Sequence, residues 1–521
     1  MAQRSIAASL RSADADPADW IETAARDHPQ RIFLRTPAGG ELSYAALYRQ
    51  SARFAAALLR LGVVPGDRVA VQVDKSMDAV LLYTACLRMG AVFVPINVAH
   101  TPNEVDYFLR DSHARIAIVR PADRAVLEPL AQRGGVGVET LGAEGEGSLA
   151  ALVRKVDGIP AVPCDDGPQS LAAIVYTSGT TGRSKGAMLT RANLASNAAA
   201  LAETWHFSGG DVLLHVLPLF HVHGLFAALN TVLASASTLL LVPNFDAAAA
   251  LKLLPQATVF MGVPTHYTRL LQQPGLNAHA TAGIRLFVSG SAPLLAETHH
   301  EFLRRTGHAI LERYGMTETL MNTSNPYEGV RKPGSVGVPL PGISIRVVDA
   351  ATGACQPQAD TIGALEVTGP NVCAGYWRNP QKTRCEFTAD GWFKTGDLGR
   401  IDRDGYVHIV GRAKDLVISG GYNVYPKEVE MELDALKGVS ESAVFGIPHP
   451  DFGEGVTAVV VPQPAAVLSE AQIIDSLQAR LARYKIPKRI LLIEELPRNT
   501  MGKVQKNVLR TVYASIYSRE P

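Results

Sequence analysis

The stretch from Tyr176 to Gly186 has the residue types of a phosphate-binding loop. Its glycines permit backbone conformations in which several N–H groups converge on one anion, and its hydroxyl groups and lysine add further donors. The residues concerned are Ser178, Gly179, Thr180, Thr181, Gly182, Lys185 and Gly186. The spacing differs from G-x-x-x-x-G-K-[ST], because no lysine in this stretch directly follows a glycine, and this argues against a kinase or GTPase. A serine- and glycine-rich surface turn is the alternative.

A buried strand is predicted directly before this loop, at Leu171–Val175. Similar short apolar segments occur at Arg68–Gln72 and Val259–Val263, and amphipathic helical segments alternate with them. This alternation predicts an α/β fold in which helices cover layered, largely parallel sheets.

The organisation changes near Gly411. The segment that follows predicts helices at residues 426–436 and 469–483 and strands at 443–447 and 457–461. We therefore expect a large domain over residues 1–411 and a smaller α+β domain over residues 412–521, which is within the usual domain size.

The segment Val212–Phe245 contains no Asp, Glu, Lys or Arg and is long enough to span a bilayer. Prolines, a glycine and several histidines interrupt it, however. A strand at 212–217, a helix near 225–235 and a strand at 238–242, all buried within the α/β domain, are the predicted alternative.

Composition limits the classes of partner. The 521 residues include 50 basic and 49 acidic side chains, and this balance gives no reason to expect nucleic acid or an anionic membrane. The five cysteines are scattered, which favours a reducing compartment. The first sixteen residues lack the apolar core of a signal peptide, so a cytoplasmic protein is expected, and a short cleaved organellar leader is the alternative.

One region departs from this balance. Residues 480–510 contain nine basic and two acidic side chains. The stretch lacks interleaved aromatic residues, so nucleic acid is a weaker interpretation than the phosphates of ATP or coenzyme A. A solvated helix face is the alternative for some of these charges.

Several blocks of sequence, in order and nearly from end to end, resemble the superfamily of acyl-CoA synthetases, luciferases and peptide-synthetase adenylation domains. They are Ser178–Gly182 with Lys185–Gly186, Arg313–Glu318, Gly375–Trp377, Lys394–Asp397, Gly411–Asp415, Gly420–Glu428 and Pro497–Lys503. Ser184 departs from the pattern, since most members carry proline there.

The resemblance implies that a carboxylate attacks the α-phosphate of ATP, pyrophosphate leaves, and the thiol of coenzyme A then displaces AMP from the acyl adenylate. The loop from Thr177 to Lys185 would hold the departing phosphates, Glu318 would ligate Mg²⁺, and Thr317 would bind the α-phosphate. The implied nucleoside contacts are Tyr314 against adenine, Gly290, Ala292 and Pro293 along the base, Asp397 at the ribose hydroxyls and Arg412 at ribose or phosphate.

The resemblance implies that Lys503 is the catalytic lysine, which stabilises the pentacovalent transition state. Removal of its charge would cost about 3 kcal/mol or more of transition-state stabilisation. The alternative is that Lys503 is a solvated lysine near the carboxyl terminus. Lys414 occupies the position of the family's hinge, about which the small domain would turn to present Gly420 and Gly421 along the thiol tunnel. Acetylation of Lys503 would remove the charge that adenylation needs.

A closer similarity is to malonyl-CoA synthetases, over the segments 177–187, 217–224, 285–294 and 316–326. Malonate retains a second carboxylate after the first is adenylated, so its pocket must supply a buried cation or donors. Arg285 is the predicted bidentate partner of that carboxylate, and His223 would donate a hydrogen bond or carry charge. His221 and Met316 are predicted to line the acyl pocket.

Three alternatives remain at this point. A short- or medium-chain synthetase, or one favouring methylmalonate, would share every nucleotide motif. A peptide-synthetase adenylation domain would normally be followed by a carrier domain. A catalytically silent nucleotide-binding regulator need not retain Lys503, Asp397 and Glu318 together. The predicted state is a monomer or homodimer that binds only small molecules.

Overall fold

The computed structural model describes residues 16–157, 167–177, 184–356, 358–420, 422–478, 480–499 and 502–517. The predicted loop residues Ser178, Gly179, Thr180, Thr181 and Gly182 lie outside the described residues, as does Gly421. The chain divides into two compact units: residues 1–344 with 367–393, and residues 345–366 with 394–521.

Two sheets form the framework of the first unit. One has the strand order β6-β5-β3-β4-β7-β8, and only the β7–β8 pair is antiparallel. The strands are β3 (Arg68–Gln72), β4 (Val92–Pro95), β5 (Ala114–Val119), β6 (Gly137–Thr140), β7 (Leu171–Thr177) and β8 (Lys185–Thr190). The predicted strand at Leu171–Val175 is confirmed and continues to Thr177.

The other sheet has the order β15-β14-β13-β12-β11-β9-β10-β1-β2 and is parallel from β13 to β1. Its strands are β1 (Ile32–Arg35), β2 (Glu41–Ser43), β9 (Val212–His215), β10 (Thr238–Leu241), β11 (Val259–Gly262), β12 (Leu286–Ser289), β13 (Leu311–Met316), β14 (Leu320–Ser324) and β15 (Val338–Pro339). Carboxyl ends of parallel strands meet at one edge, so the segments after β9, β11 and β12 lie together there.

Helices cover these sheets as the α/β pattern predicted. They are α1 (Pro17–Asp27), α2 (Tyr44–Arg60), α3 (Met77–Met89), α4 (Pro102–Ser112), α5 (Arg124–Arg133), α6 (Ser148–Arg154), α7 (Arg191–Thr204), α8 (Asn230–Ala234), α9 (Ala247–Leu253), α10 (Pro264–Leu271), α11 (Ala296–Thr306) and α12 (Pro380–Glu386). Helix α3 is buried almost all round. Its ends are defined locally, because Ser76 caps the amino end through Ala79 N (3.1 Å) and Gly90 adopts φ 70° at the carboxyl end.

The segment without charged residues is buried in this unit, as predicted. It contains β9, a π-helix at His223–Leu229, α8 and β10. Since π-helices are rare and concentrate at functional sites, the one that begins at His223 is notable. Among the described residues, no helix is long and apolar enough to cross a membrane.

The second unit contains a sheet of order β16-β17-β18-β19 and a largely antiparallel sheet in which β24 joins the order β21-β20-β23-β22. Its strands are β16 (Ser344–Val348), β17 (Gly363–Thr368), β18 (Phe393–Ile401), β19 (Val407–Arg412), β20 (Val417–Ser419), β21 (Tyr422–Val424), β22 (Val439–His449), β23 (Gly453–Pro462) and β24 (Arg489–Leu492). Its helices are α13 (Pro426–Asp434), α14 (Glu470–Gln478) and α15 (Lys506–Val512).

The elements predicted after Gly411 are all present, with longer strands and shorter helices than expected. The compact units do not divide between residues 411 and 412, because β18 and β19 pair with β16 and β17 and are grouped with the carboxyl-terminal sheet. A mobile domain that begins at residue 412 stays a prediction.

Candidate active site

The β7–β8 hairpin places the two ends of the predicted phosphate loop side by side. Thr177 is the last residue of β7 and pairs directly with Lys185, the first residue of β8. Gly186 has a packing role that its sequence context did not reveal: a Cβ there would lie 2.5 Å from Ile174 Cγ2. The hairpin therefore holds Thr177 and Lys185 at adjacent positions, and Gly186 permits close packing behind them.

A second hairpin carries Thr317 and Glu318. Met316 ends β13 and pairs with Leu320 of β14, so residues 317–319 form the connecting loop. A Cβ on Gly315 would lie 2.0 Å from the Leu320 carbonyl oxygen, which makes glycine necessary for this tight hairpin.

Glu318 is buried, and two hydroxyl groups from other segments donate to its Oε1. Thr177 Oγ1 lies 3.4 Å away and Tyr376 Oη 3.0 Å away. Burial, together with the charge of Glu318, raises the pKa of Tyr376 well above its usual value, so its hydroxyl group remains a donor. Tyr376 was not predicted as a site residue, although it lies in the quoted block Gly375–Trp377.

Glu318 fits the predicted role of magnesium ligand. Within the described residues, no group of three His, Cys, Asp or Glu side chains could hold a metal ion by itself. Mg²⁺ commonly binds one or two protein carboxylates and takes its remaining ligands from phosphates and water. A single buried carboxylate beside Thr177 suits that mode of binding.

Arg313 of β13 is a buried cation that keeps hydrogen-bonding atoms available. Its side chain is 3 % exposed, and its Nε and Nη2 atoms have no partner within the described part of the chain. Burial lowers the pKa of Arg313 to about 9, which leaves it charged at neutral pH. A Cβ on Gly290 would lie 2.4 Å from Arg313 Cζ, so the guanidinium group rests against the Gly290 backbone.

His223 lies in the same cluster. Its Nδ1 is 3.2 Å from the hydroxyl of Ser291, which has φ 72°, a conformation that L-residues rarely adopt. Its Nε2 is buried and has no partner among the residues described. Burial, reinforced by the charge of Arg313, lowers the pKa of His223 well below its usual value. This shift favours the neutral imidazole, so the predicted hydrogen-bonding role of His223 fits its surroundings better than the predicted positive charge.

Arg285 does not belong to this cluster, and its predicted role as the carboxylate partner is wrong. It precedes β12, at the amino end of the strand, whereas Gly290 and Ser291 follow the carboxyl end. Its Nε and Nη2 bind the two oxygens of Asp211 at 2.7 and 2.9 Å, and its Nη1 donates to the Trp205 carbonyl. Asp211 occupies the fork that a substrate carboxylate would need.

The remaining predicted residues of the first unit lie near these elements. His221 Nδ1 accepts a hydrogen bond from His223 N at 3.2 Å, and Met316 ends β13. Tyr314 lies in β13, and Ala292 and Pro293 follow β12 in the same segment as Gly290. Their contacts with adenine and the acyl group stay predictions.

In the second unit, Asp397 and Arg412 face each other across β18 and β19. They are register partners, and Arg412 Nε lies 2.7 Å from Asp397 Oδ1. Asp397 is 3 % exposed, and its backbone N–H donates to Thr395 Oγ1 at 3.0 Å. The pair presents a fixed carboxylate and a guanidinium group at one position.

Lys503 belongs to the same part of the second unit. Desolvation lowers its pKa; the positive charges of Arg412 and Lys414 act in the same direction, while the carboxylates of Asp397 and Asp415 oppose them. The predicted hinge at Lys414 separates Lys503 from Asp397 and Arg412 in the sequence. The second unit contains all three residues. Gly420, with φ 59°, donates its N–H to the Phe452 carbonyl at 2.9 Å.

The basic stretch at 480–510 is largely neutralised within the second unit, so the interpretation that it faces phosphate is wrong for most of its residues. Six of its side chains form ion pairs with acids outside the stretch. The pairs are Arg480–Glu432, Lys485–Glu428, Arg489–Glu470, Arg498–Glu441, Lys506–Glu430 and Arg510–Asp415. Sequence separation concealed these partners.

The two-sheet unit with a phosphate-loop hairpin, together with a smaller α+β unit carrying the lysine, defines a nucleotide-dependent acid-activating enzyme, and the chain belongs to the AMP-binding enzyme family. The family model matches residues 21–377, and the model of the AMP-binding enzyme C-terminal domain matches residues 428–503. The chain is an AMP-forming acid–CoA ligase that uses ATP and coenzyme A.

The chain is also similar, over most of its length, to individual CoA ligases and to a solved structure. The chain is 36% identical to the mitochondrial malonate–CoA ligase ACSF3 of Mus musculus, over 92% of this chain and 89% of the relative. It is 35% identical to the indoleacetate–CoA ligase of Aromatoleum aromaticum, over 95% and 98% of the two chains. The crystal structure of ATP-bound MatB from Rhodopseudomonas palustris is 52% identical, with a TM-score of 0.94, and is matched over 97% of this chain and 100% of that one.

Proposed function

We propose that this enzyme ligates malonate to coenzyme A through a malonyl-adenylate intermediate, with methylmalonate as a further candidate substrate. The names of the Mus musculus relative and the similarity to MatB support this assignment. The observation that carries it is the buried Arg313, two of whose nitrogen atoms have no partner among the described residues, beside the buried His223.

The charge of Arg313 supplies the physical argument. A buried guanidinium group without a carboxylate partner is costly, and an arriving carboxylate repays that cost through charge-assisted hydrogen bonds. An alkyl chain of a fatty acid would leave the same nitrogen atoms unsatisfied. His223 Nε2 adds a neutral donor or acceptor at the same place. The arrangement therefore favours an acid with a second carboxylate over a monocarboxylate.

The first half-reaction joins two anions. A malonate carboxylate oxygen forms a bond to the α-phosphorus, and the bond to pyrophosphate breaks with its electron pair remaining on pyrophosphate. Lys185 and the loop that begins at Thr177 would bind the departing phosphates, and Thr317 the α-phosphate. Glu318 would hold Mg²⁺, which would supply charge neutralisation when bound. Lys503 would stabilise the charge that develops on the α-phosphate oxygens.

Other residues would hold the nucleoside and the thiol. Asp397 would accept hydrogen bonds from the ribose hydroxyls, oriented by Arg412, and Tyr314 would stack on the adenine that Gly290–Pro293 borders. In the second half-reaction the sulfur of coenzyme A forms the thioester while AMP leaves, and Gly420 and Gly421 would allow the pantetheine arm to approach. Lys414 is the proposed hinge between the two half-reactions.

A competition between acids tests the assignment. Malonate, methylmalonate, butyrate and indoleacetate are each supplied with Mg-ATP and coenzyme A, and AMP and the thioester mass are measured. We expect kcat/KM to be highest for malonate. Arg313→Met is expected to lower kcat/KM for malonate by about a hundredfold, corresponding to about 3 kcal/mol, while the value for butyrate is retained or rises.

Arg285→Met is the matched control. It removes the partner of the buried Asp211 and is expected to destabilise the fold by about 2 kcal/mol or more without changing the preference for malonate over butyrate. If the wild-type enzyme converted butyrate or indoleacetate in preference to malonate, the proposed substrate would have to be a monocarboxylate instead. Equal loss of malonate preference in both variants would contradict the role of Arg313.

The cellular setting and assembly are also proposals. Among the described residues, no disulfide joins Cys86, Cys355 and Cys373, and this is consistent with the proposed reducing compartment, the cytoplasm. We propose a monomer or homodimer with small-molecule substrates and no nucleic-acid partner. Light scattering of the purified protein measures the oligomeric state directly.

A further inference from the structure

A second lysine lies beside the phosphate-loop hairpin, in a helix to which no role has been assigned. Lys382 is in α12, which follows the block Gly375–Trp377. That block runs antiparallel beside β8: Trp377 N donates to the Gly186 carbonyl at 2.8 Å, and Met188 N donates to the Gly375 carbonyl at 2.9 Å. The hydrogen bonds attach the chain that leads to Lys382 directly to the residue after Lys185.

The amino end of α12 is tied back to the same block. Asn379 caps the helix by accepting from Lys382 N at 3.0 Å, and Tyr376 N donates to Thr383 Oγ1 at 2.9 Å. Tyr376 is the residue whose hydroxyl contacts Glu318. The position of Lys382 is thus set by the segment that also positions the candidate magnesium ligand.

The charges around Lys382 are unusual for a lysine in a short helix. Its ammonium group forms an ion pair with Glu386, one turn later in the same helix. Desolvation lowers the pKa of Lys382, and the positive charge of Lys185 acts in the same direction, while Glu318 opposes them. The positive charges of the two lysines repel each other, and an anion bound to both would relieve that repulsion.

We propose that Lys382 is a second pyrophosphate-binding cation, which contacts the departing β- and γ-phosphates together with Lys185. The inference rests on the proposed adenylation reaction, which releases pyrophosphate at this hairpin. Lys382 forms and breaks no covalent bond. It binds the charge that accumulates on pyrophosphate as the α-phosphate is transferred, and Glu386 orients its ammonium group when no phosphate is bound.

Binding and exchange measurements test the inference. Calorimetry with inorganic pyrophosphate and Mg²⁺, without any carboxylic acid, measures affinity independently of turnover, and malonate-dependent ATP–pyrophosphate exchange measures the reverse adenylation. Lys382→Gln is expected to weaken pyrophosphate binding about tenfold and to raise the KM for ATP, while the KM for malonate stays unchanged. Lys382→Arg, which keeps the charge, should restore affinity to within about threefold.

Arg384→Gln is the matched control, because it removes one positive charge from the same helix at an exposed position. It is expected to leave pyrophosphate affinity unchanged. Pyrophosphate affinity within about twofold of wild type in Lys382→Gln would overturn the inference, as would equal weakening in Lys382→Gln and Arg384→Gln. Failure of the wild-type enzyme to convert malonate, combined with pyrophosphate binding that depends on Lys382, would refute the malonate assignment and retain the phosphate site.

Discussion

At the scale of single residues, the site depends on which buried charged groups already have partners. Arg285 precedes β12 and Arg313 lies within the neighbouring β13, yet Asp211 occupies the donors of Arg285, while two nitrogen atoms of Arg313 have no partner in the part of the chain that the structure describes. Lys506 is likewise paired, with Glu430, whereas Lys503 is influenced by both the carboxylate of Asp397 and the positive charge of Arg412. Unsatisfied buried donors therefore favour Arg313 over Arg285 as the candidate partner of a substrate carboxylate.

Tyr376 is expected to support the magnesium dependence of the reaction. Tyr376→Phe removes a hydroxyl donor from the buried Glu318 and should raise the Mg²⁺ concentration needed for half-maximal velocity by about tenfold, the effect of one hydrogen bond to a charged group. Steady-state rates measured against Mg²⁺ at saturating ATP and malonate give this value. Tyr83→Phe is the control, since it removes a buried hydrogen bond to Asn230 (2.9 Å), and it should lower stability without affecting magnesium dependence.

Asp434 is expected to make stability depend on pH. Burial raises its pKa to about 6, although Lys427 and a hydrogen bond from Ser442 Oγ (2.7 Å) oppose this. The unfolded value is about 4, so between about pH 4 and pH 6 the folded state binds more protons than the unfolded state. Stability therefore falls as the pH rises through this window.

Asp434→Asn removes that dependence. It should raise the free energy of unfolding at pH 7.5 by about 1 to 3 kcal/mol and leave it unchanged at pH 3.5, as measured by urea unfolding at a series of pH values. The exposed Asp451 provides the control, because Asp451→Asn should change neither value. An equal gain from Asp434→Asn at both pH values would contradict the linkage.

At the scale of elements, the site is built where neighbouring strands end. The segments after β12 and β9 bring Ser291 and His223 together, and β13 supplies Arg313 beside Gly290. The β13–β14 and β7–β8 hairpins bring Glu318 and Thr177 into contact. The parallel strands β9, β11 and β12 have their carboxyl ends at one edge of their sheet, which brings residues far apart in sequence together, whereas Thr177 comes from the other sheet.

Gly290→Ala tests how closely β12 and β13 must approach. The added methyl group would overlap the guanidinium carbon of Arg313, so the variant should lose most of its preference for malonate over butyrate while it retains adenylation of butyrate. Competition assays with both acids measure this ratio. Gly210 offers the control, because a Cβ there meets only Ser208 Oγ, at 3.7 Å. Unchanged preference in Gly290→Ala would show that Arg313 need not rest on this backbone.

At the scale of the whole molecule, the chemistry is divided between two compact units. The first contains the hairpins with Lys185 and Glu318 and the Arg313 cluster. The second contains Asp397, Arg412 and Lys503, and its own acids neutralise most of the remaining basic residues of the stretch 480–510.

Lys503 and Lys506 provide a matched pair for testing this division. Lys503→Ala should slow malonyl-adenylate formation by at least about a hundredfold, while the thiolysis of supplied malonyl-adenylate continues. Lys506→Ala should retain adenylation within about threefold and lose stability, because Glu430 is left buried without its partner. Rapid-quench measurement of each half-reaction distinguishes them. Comparable loss of adenylation in both variants would refute the specific role of Lys503.

The sequence by itself determined the fold class, the order of the ligase motifs and the presence of a buried α/β core in the segment without charges. These features are local: short apolar strands, glycine-rich turns and motif residues are contiguous in the chain. Lys185 was predicted from its glycine- and hydroxyl-rich context, whereas Glu318 and Asp397 were predicted from the resemblance to the family. It also indicated that a malonate pocket requires a buried cation, although it favoured Arg285.

Only the tertiary structure decided which charges are neutralised. The partners of Arg285 and of the basic stretch lie tens of residues away in sequence, so charge counting could not distinguish a phosphate-binding cation from one held in an ion pair. The contact of Tyr376 with Glu318, the neutral state of His223 and the position of Arg313 against Gly290 likewise depend on burial and on segments that meet only after folding. Desolvation and long-range pairing are properties of the folded chain, and they selected the residues of this site.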